Sequence, residues 1–413
     1  MAKLHIPRVA YSVTSQGLVS ACTLLLSLAL LYYSEARHYV AFLLFLNVVQ
    51  LLNGLQNALF VSPVGVLVPR LPAAEVARTE QAAYRMTALV ALAGLPFISY
   101  FLTRPPRLDP FSVAAGAVVF LATIMLLQRE IARNACLVRS DLQVLVKFDL
   151  LYFSMAMLLA GIAVVLHELS FVIAVLAFAL PAALTRLSRP RWPSARVVVP
   201  AHALTAFGPA FWTSVAEVTR WSVPGVLVTW LFSNGYWFVL ERTQDTQTVA
   251  SLGASRLLFA PVGLFIQGWL MQLRPLSVVM AHRGQAAELR RLVMRQSAAG
   301  AACVLLLAAS AYALTSWYPQ VLPLSMRAPD IPSYLLVWAL YFVAFWYRSG
   351  VSTLLLTNAS GFKTVFVANT VVCAVFYTLF FGGLGHIPLA LSLASLIAGE
   401  LIMIYLLNRH THA

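Results

Sequence analysis

The side chains that could do chemistry in this chain are few and lie inside apolar stretches, where a polar group has to be accounted for. Between residues 40 and 62, Asn47, Gln50, Asn53, Gln56 and Asn57 recur at helical spacing, and all five fit within about half the circumference of a helix. Amides donate and accept hydrogen bonds without a fixed charge, which suits a hydroxyl-rich ligand; in membrane helices they also bond helix to helix. Arg256 stands well inside an apolar segment, where a guanidinium costs at least about 2.5 kcal/mol and can clasp phosphate oxygens in bidentate fashion. On a continuous helix it shares one face with Gly263 and Gln267, a surface with room for a ligand. A structural ion pair, or a side chain snorkelling to the nearer membrane face, is the rival reading.

Arg348 and Glu400 sit at similar depths along their apolar segments. They could simply pair, or Arg348 could receive an anion while Glu400 takes a proton. Asp149 is the other carboxylate placed to carry a coupling ion. Pro63 and Pro261 each remove a helical hydrogen bond, and each is followed two residues later by a glycine, Gly65 and Gly263, so both places are candidate hinges. The sequence contains no hydrolase or metalloprotease motif, and Cys22, Cys136, Cys303 and Cys373 lack metal-binding spacing and read as small core residues. The expectation is a protein that is not an enzyme and needs neither metal nor cofactor.

The chain that must position these groups is 61% hydrophobic and 10% charged, against about a quarter charged in an ordinary soluble domain. That excludes a soluble globular protein. Apolar windows near 13–33, 40–62, 86–102, 111–127, 148–165, 169–187, 221–240, 249–272, 297–315, 334–356, 364–381 and 388–407 predict twelve membrane-spanning helices. Val19 to Cys22 has the look of a lipoprotein cleavage box, but the apolar stretch continues beyond the cysteine, so the first helix is expected to be retained. With both termini cytoplasmic, most of the 28 basic residues fall in inner loops, Arg129 and Arg133 among them. The net charge of +14 therefore reads as a topology signal, with attraction to anionic lipid, and no nucleic-acid partner is expected. Tyr32-Tyr33, Tyr236-Trp237 and Trp317-Tyr318 fall at the outer ends of their segments and read as an aromatic belt.

A stretch with prolines and arginines at 188–198 divides the chain into an N-terminal six-helix lobe (1–187), a cytoplasmic linker with an interfacial segment (188–220) and a C-terminal six-helix lobe (221–413). The halves echo each other. Pro63-Val64-Gly65 recurs as Pro261-Val262-Gly263, and Gln81-Ala82-Ala83 as Gln285-Ala286-Ala287, each about 200 residues on, as parallel repeats of six helices would require.

Three stretches carry a resemblance: Gln50 to Pro63, Arg129-Glu130 through Arg133 to Asp149, and Gly253-Ala254-Ser255-Arg256 followed by Pro261. They resemble the second helix, the basic region after helix four and the eighth helix of the polysaccharide transporters (Wzx-type oligosaccharide flippases) of the multidrug/oligosaccharidyl-lipid/polysaccharide exporter superfamily. The resemblance implies an all-α polytopic membrane protein with twelve transmembrane helices in two six-helix lobes around a central cavity. It implies a flippase of the bacterial inner (cytoplasmic) membrane that moves an undecaprenyl-diphosphate-linked oligosaccharide from the inner to the outer leaflet by alternating access, for export of a surface polysaccharide. On that reading Asn47, Gln50, Asn53, Asn57, Arg256, Gln267 and Arg348 meet the substrate, and Glu400 or Asp149 carries a coupling ion. The expected partners are the lipid-linked oligosaccharide, membrane lipids, and polysaccharide polymerase and chain-length machinery. The chain departs from the peptidoglycan-precursor flippases of the same superfamily, whose first helices are rich in cations; helices one and two here contain none, and Arg8 is the nearest substitute. The alternative is a drug or small-cation exporter of the same architecture, which should bury carboxylates for its cargo. A membrane glycan polymerase or ligase is a further alternative, but the longest outer loop, near 316–331, offers only Arg327 and Asp330 as charged groups.

Overall fold

The computed structural model describes residues 6–61, 113–138, 142–187, 209–355 and 359–411, with a few positions between 87 and 95. Among the described residues the chain is helical throughout, apart from short turns and an isolated bridge between Leu384 and Ile387. It forms two compact units, Met1–Val226 and Leu227–Ala413. The division falls within a helix, Pro209–Trp230, that the linker expectation placed partly outside both lobes.

In the first unit the described helices are α1 (Ile6–Tyr33), α2 (Ala36–Gln56), α3 (Val113–Val138), α4 (Leu142–Val165), α5 (Phe171–Leu187) and most of α6 (Pro209–Trp230). α1 packs on α4, α3 and α4 pack on α5, and α2 runs among α1, α3 and α5. Phe42 and Phe45, three residues apart on α2 and so on one face, meet Phe178 and Phe171 of α5 edge to face at 6.1 and 6.3 Å. α2 ends in a π-helical turn, Asn57–Val61, two residues before Pro63 in the sequence. Pro63 and Gly65 themselves lie outside the described residues.

The second unit takes the last turn of α6, passes through a π-helical turn, Leu231–Gly235, and continues through α7 (Tyr236–Thr243), α8 (Thr246–Leu257), α9 (Ala260–His282), α10 (Ala286–Trp317), α11 (Ile331–Leu355), α12 (Ala359–Gly383) and α13 (Leu389–Thr411). α11 is its central pillar, packed against α8, α9, α10 and α13. The pillar admits close neighbours only through glycine: a Cβ on Gly350 would lie 2.8 Å from Trp269, and one on Gly300 of α10 would lie 2.1 Å from the Trp346 ring. The α9–α10 turn closes at Gly284, whose φ of +69° is one that glycine adopts without strain, and there Gln285 N donates to Met280 O.

Eight described helices are long and apolar enough to cross a membrane, and nine if the bent pair α8 and α9 forms one span. The difference from twelve has identifiable sources. The window at 86–102 lies largely outside the described residues. The window at 111–127 lies largely in α3, which runs on through Arg129, Glu130 and Arg133 to Val138. α5 is apolar but has only 17 residues. The eighth window breaks at Leu258 and Phe259, bending by 52° between α8 and α9. Pro261 stands second in α9, where a missing N–H costs nothing.

Candidate functional site

Among the described residues, buried charge concentrates in two places, one in each unit. In the first, Asp149 of α4 is fully buried against α1 and α3. Its Oδ1 accepts from Arg129 Nη2, and its Oδ2 accepts from Arg133 Nε at 3.1 Å and from Ser15 Oγ. Arg133 also donates to both oxygens of Glu130 at 3.1 Å, to Ser15 Oγ at 3.2 Å and to Gln16 Oε1 at 3.3 Å. The Arg129 guanidinium lies 3.6 Å from the centre of the Tyr152 ring, and the Tyr152 hydroxyl donates to Phe178 O. Two cations meet two carboxylates, so the cluster is neutral, although the buried Arg129 Nε donates to no described residue.

Arg129 and Arg133 were expected in an inner loop, and that expectation is corrected: both are at most 5% exposed and belong to the body of α3. The signal for it was present in the Arg-Glu-x-x-Arg spacing, which puts both guanidinia on one helix face, one turn apart, with the acid Asp149 in the next apolar segment. Asp149, Arg129, Arg133 and Ser15 are brought together by α1, α3 and α4.

The amides of α2 divide. Gln56 is buried and donates to Leu127 O at 3.2 Å and Thr87 Oγ1 at 3.3 Å, while Asn57 accepts from Asn134 at 3.4 Å; both thus join helices within the unit. Asn47 is buried, Gln50 is exposed, and Asn53 is half-buried with an Oδ1 that receives no hydrogen bond from the described residues. Arg8 falls within α1.

In the second unit Arg348 of α11 and Glu400 of α13 are paired, Nε to Oε2, at 2.7 Å, with Glu400 fully buried. The approach is electrostatic rather than an aligned hydrogen bond, since neither Glu400 oxygen receives one from the described residues. The guanidinium lies 4.7 Å from the Phe345 ring.

Arg256 is in a different situation. It ends α8, where the helix dipole favours a cation, and it is half-buried. Its Nη1 donates to the Tyr236 hydroxyl at 3.4 Å, and its Cζ stands 5.7 Å from the Trp237 ring and 5.4 Å from the Trp338 ring. Among the described residues it has no carboxylate within ion-pair distance. The expected common face of Arg256, Gly263 and Gln267 does not survive, because the break at Leu258–Phe259 interrupts the helix on which the angles were counted. Gln267 is exposed and Gly263 half-buried.

Tyr236 and Trp237 correct the aromatic-belt expectation. They are at most 1% exposed and enclose Arg256, whereas Tyr33, Trp317 and Tyr318 are exposed as belt residues would be. The π-helical turn immediately before Tyr236 inserts an extra residue per turn and rotates the helix beyond it, so depth along the helix did not reveal the direction in which the side chains face. Among the described residues no group of three or more His, Cys, Asp or Glu is arranged to hold a metal ion.

No family model and no curated protein matches the chain. Solved structures do match over nearly its whole length. An outward-facing conformation of a multidrug resistance MATE family transporter of the MOP superfamily superposes with a TM-score of 0.70 at 12% identity, covering 98% of this chain and 94% of that one. An inward-facing conformation of such a transporter gives 0.66 at 11% identity, covering 97% and 94%. A MOP superfamily transporter from Pyrococcus furiosus, described by the reverse polarity of its binding pocket, gives 0.69 at 12% identity, covering 98% and 94%. At this identity the likeness establishes the fold: the chain has the architecture of the MOP superfamily transporters.

Proposed function

We propose that this protein is a flippase of the bacterial inner membrane that carries an undecaprenyl-diphosphate-linked oligosaccharide from the inner to the outer leaflet by alternating access, serving export of a surface polysaccharide. The observation that carries the reading is the charge balance of the interior. The buried carboxylates Asp149 and Glu400 are each matched by arginine, while Arg256 has no acid beside it among the described residues. A carrier of cations needs carboxylates to spare; a carrier of a diphosphate needs a spare guanidinium, which can bind two phosphate oxygens at once. The fold supports the transport part of this reading, since solved structures of the same architecture stand in both inward-facing and outward-facing conformations.

In this scheme Arg256 receives the diphosphate, and the amides Asn47, Gln50, Asn53, Asn57 and Gln267 serve the sugars. Arg348 and Glu400 exchange partners as the anion arrives, the acid taking a proton when its cation is drawn away, and Asp149 is the second coupling candidate. Pro261 with Gly263, and Pro63 with Gly65, serve as hinges. The partners are membrane lipids and the polymerase and chain-length machinery that receives the flipped glycan.

The test is complementation of a bacterial strain that lacks its lipid-linked oligosaccharide flippase and accumulates the unflipped intermediate. The wild-type chain restores surface glycan; Arg256→Ala and Gln50→Ala, expressed at equal level, lose most of that restoration. No restoration by the wild type, or full activity of both variants, overturns the assignment. Export of drugs is the second reading, favoured by the name of the multidrug resistance transporters that share the fold. It predicts raised resistance to cationic drugs on expression, which the flippase reading does not.

A further inference from the structure

We infer that Tyr236, Trp237 and Trp338 are positioning residues that hold Arg256 as an anion receptor, and that the receptor is specific for a planar guanidinium rather than for positive charge alone. The inference rests on the reading of Arg256 as the residue that meets a substrate phosphate.

Two other buried arginines show what the usual solution looks like. Arg129 lies over the face of Tyr152 and bonds Asp149, and Arg348 lies near Phe345 and pairs with Glu400. In both, an aromatic face and a carboxylate share the cation, and the carboxylate removes its net charge. Around Arg256 the aromatic part is larger, and no carboxylate among the described residues joins it. An aromatic face stabilises a cation through its quadrupole without consuming N–H donors, so the group keeps both its charge and most of its five hydrogen-bonding protons.

The enclosure is itself held from several sides. Trp237 and Trp338 stack on each other at 6.4 Å with an 18° interplanar angle, and both are fully buried. Trp338 Nε1 donates to Ser255 Oγ at 3.1 Å, so the ring that faces the cation is bonded to the residue preceding it in the chain. Tyr236 takes one Nη1 proton and is packed against Phe376 and Phe380. The aromatic groups cannot be the binding surface, being sealed; Arg256 alone is half-open. What they fix is the plane and direction of the guanidinium. A lysine ammonium would keep the charge and lose the fork.

The test is calorimetric titration of inorganic pyrophosphate into the purified full-length protein in lipid nanodiscs, with thermal stability recorded for every variant. The wild type binds, and Arg256→Ala does not. Trp338→Leu, which removes the ring face, weakens binding about fivefold to thirtyfold, whereas Trp338→Phe keeps a face and stays within about threefold of wild type despite losing the bond to Ser255. Tyr236→Phe, which deletes one hydroxyl and leaves the packing intact, weakens binding about twofold to tenfold. Arg256→Lys falls at least about tenfold short. Should Trp338→Leu and Tyr236→Phe bind as the wild type does while Arg256→Ala fails, the positioning role is overturned and the phosphate site stands. Absence of binding by the wild type, or undiminished binding by Arg256→Ala, overturns the site together with everything inferred about its support.

Discussion

Arg133 Nε lies 3.1 Å from Asp149 Oδ2, and the two residues join α3 to α4 where both side chains are almost completely withdrawn from solvent. Ser15 donates to the same carboxylate oxygen and accepts from Arg133, so α1 is tied into the junction. Three helices that the sequence presents as separate apolar windows are thereby fixed in register by one carboxylate. Such a cluster adds little as a whole, because desolvation offsets much of its Coulomb energy, but it is costly to break in part.

Asp149→Ala should therefore be among the most damaging substitutions in the first unit. It leaves Arg129 and Arg133 buried with only Glu130 between them, at a cost of about 3–5 kcal/mol. Thermal unfolding in detergent should show a loss of several degrees, and replacing all four charged members, Arg129, Glu130, Arg133 and Asp149, by apolar residues of similar volume should recover much of it. If the single variant unfolds at the wild-type temperature, the cluster is not what holds α1, α3 and α4 together.

The helices were legible because apolarity and length are carried by composition, and the α10 and α12 windows needed nothing else. The direction of a polar side chain is not carried in that way. Counting charges by side of the membrane assigns Arg129 and Arg133 to a loop, because an arginine turned inward to meet an acid 16 or 20 residues later looks the same as one in water. The pairing of Arg348 with Glu400 was foreseeable from their similar predicted depths and opposite signs. The enclosure of Arg256 was not, since it depends on a π-helical turn that no residue pattern announces and on Trp338, about eighty residues away.

Gly300→Ala should strain the packing of α10 on α11. The added methyl would lie 2.1 Å from the Trp346 ring, too close for any relaxed contact, and the rigid indole has to move. A cost of about 1–3 kcal/mol is expected from overpacking of this kind. Trp346→Leu, introduced together with Gly300→Ala, should relieve part of it. Equal melting temperatures for Gly300→Ala and wild type would count against the close approach.

Asp245 caps α8 from outside the spanning stretch: its Oδ1 accepts from Thr248 N at 2.9 Å and its Oδ2 from Thr248 Oγ1 at 2.6 Å. The bond from the Thr248 side chain, then that from its backbone, hold the carboxyl below its ordinary value. A lowered folded pKa means the cap stabilises above the unfolded value of about 3.9 and is lost as pH falls through the folded one. Asp245→Ala should cost about 1 kcal/mol at neutral pH, and the gap in melting temperature between variant and wild type should narrow as the pH is taken below about 4. A gap that stays constant across that range would mean the charged carboxylate is not what caps the helix.

The Arg348–Glu400 pair allows stability and transport to be separated. Glu400→Leu leaves Arg348 buried without its acid and still charged, and should lose about 3–5 kcal/mol; Arg348→Met leaves Glu400 buried without its cation, and should lose as much or have the acid take up a proton. The double variant strands neither and should unfold closer to the wild-type temperature than either single one, a coupling that a double-mutant cycle reads directly. If the pair only braces α11 against α13, the double variant should also restore surface glycan in the complementation assay. If the pair exchanges partners during transport, the double variant should be stable and inactive. Proton coupling through Glu400 requires the second outcome, and a stable double variant with wild-type transport would remove the acid from the mechanism.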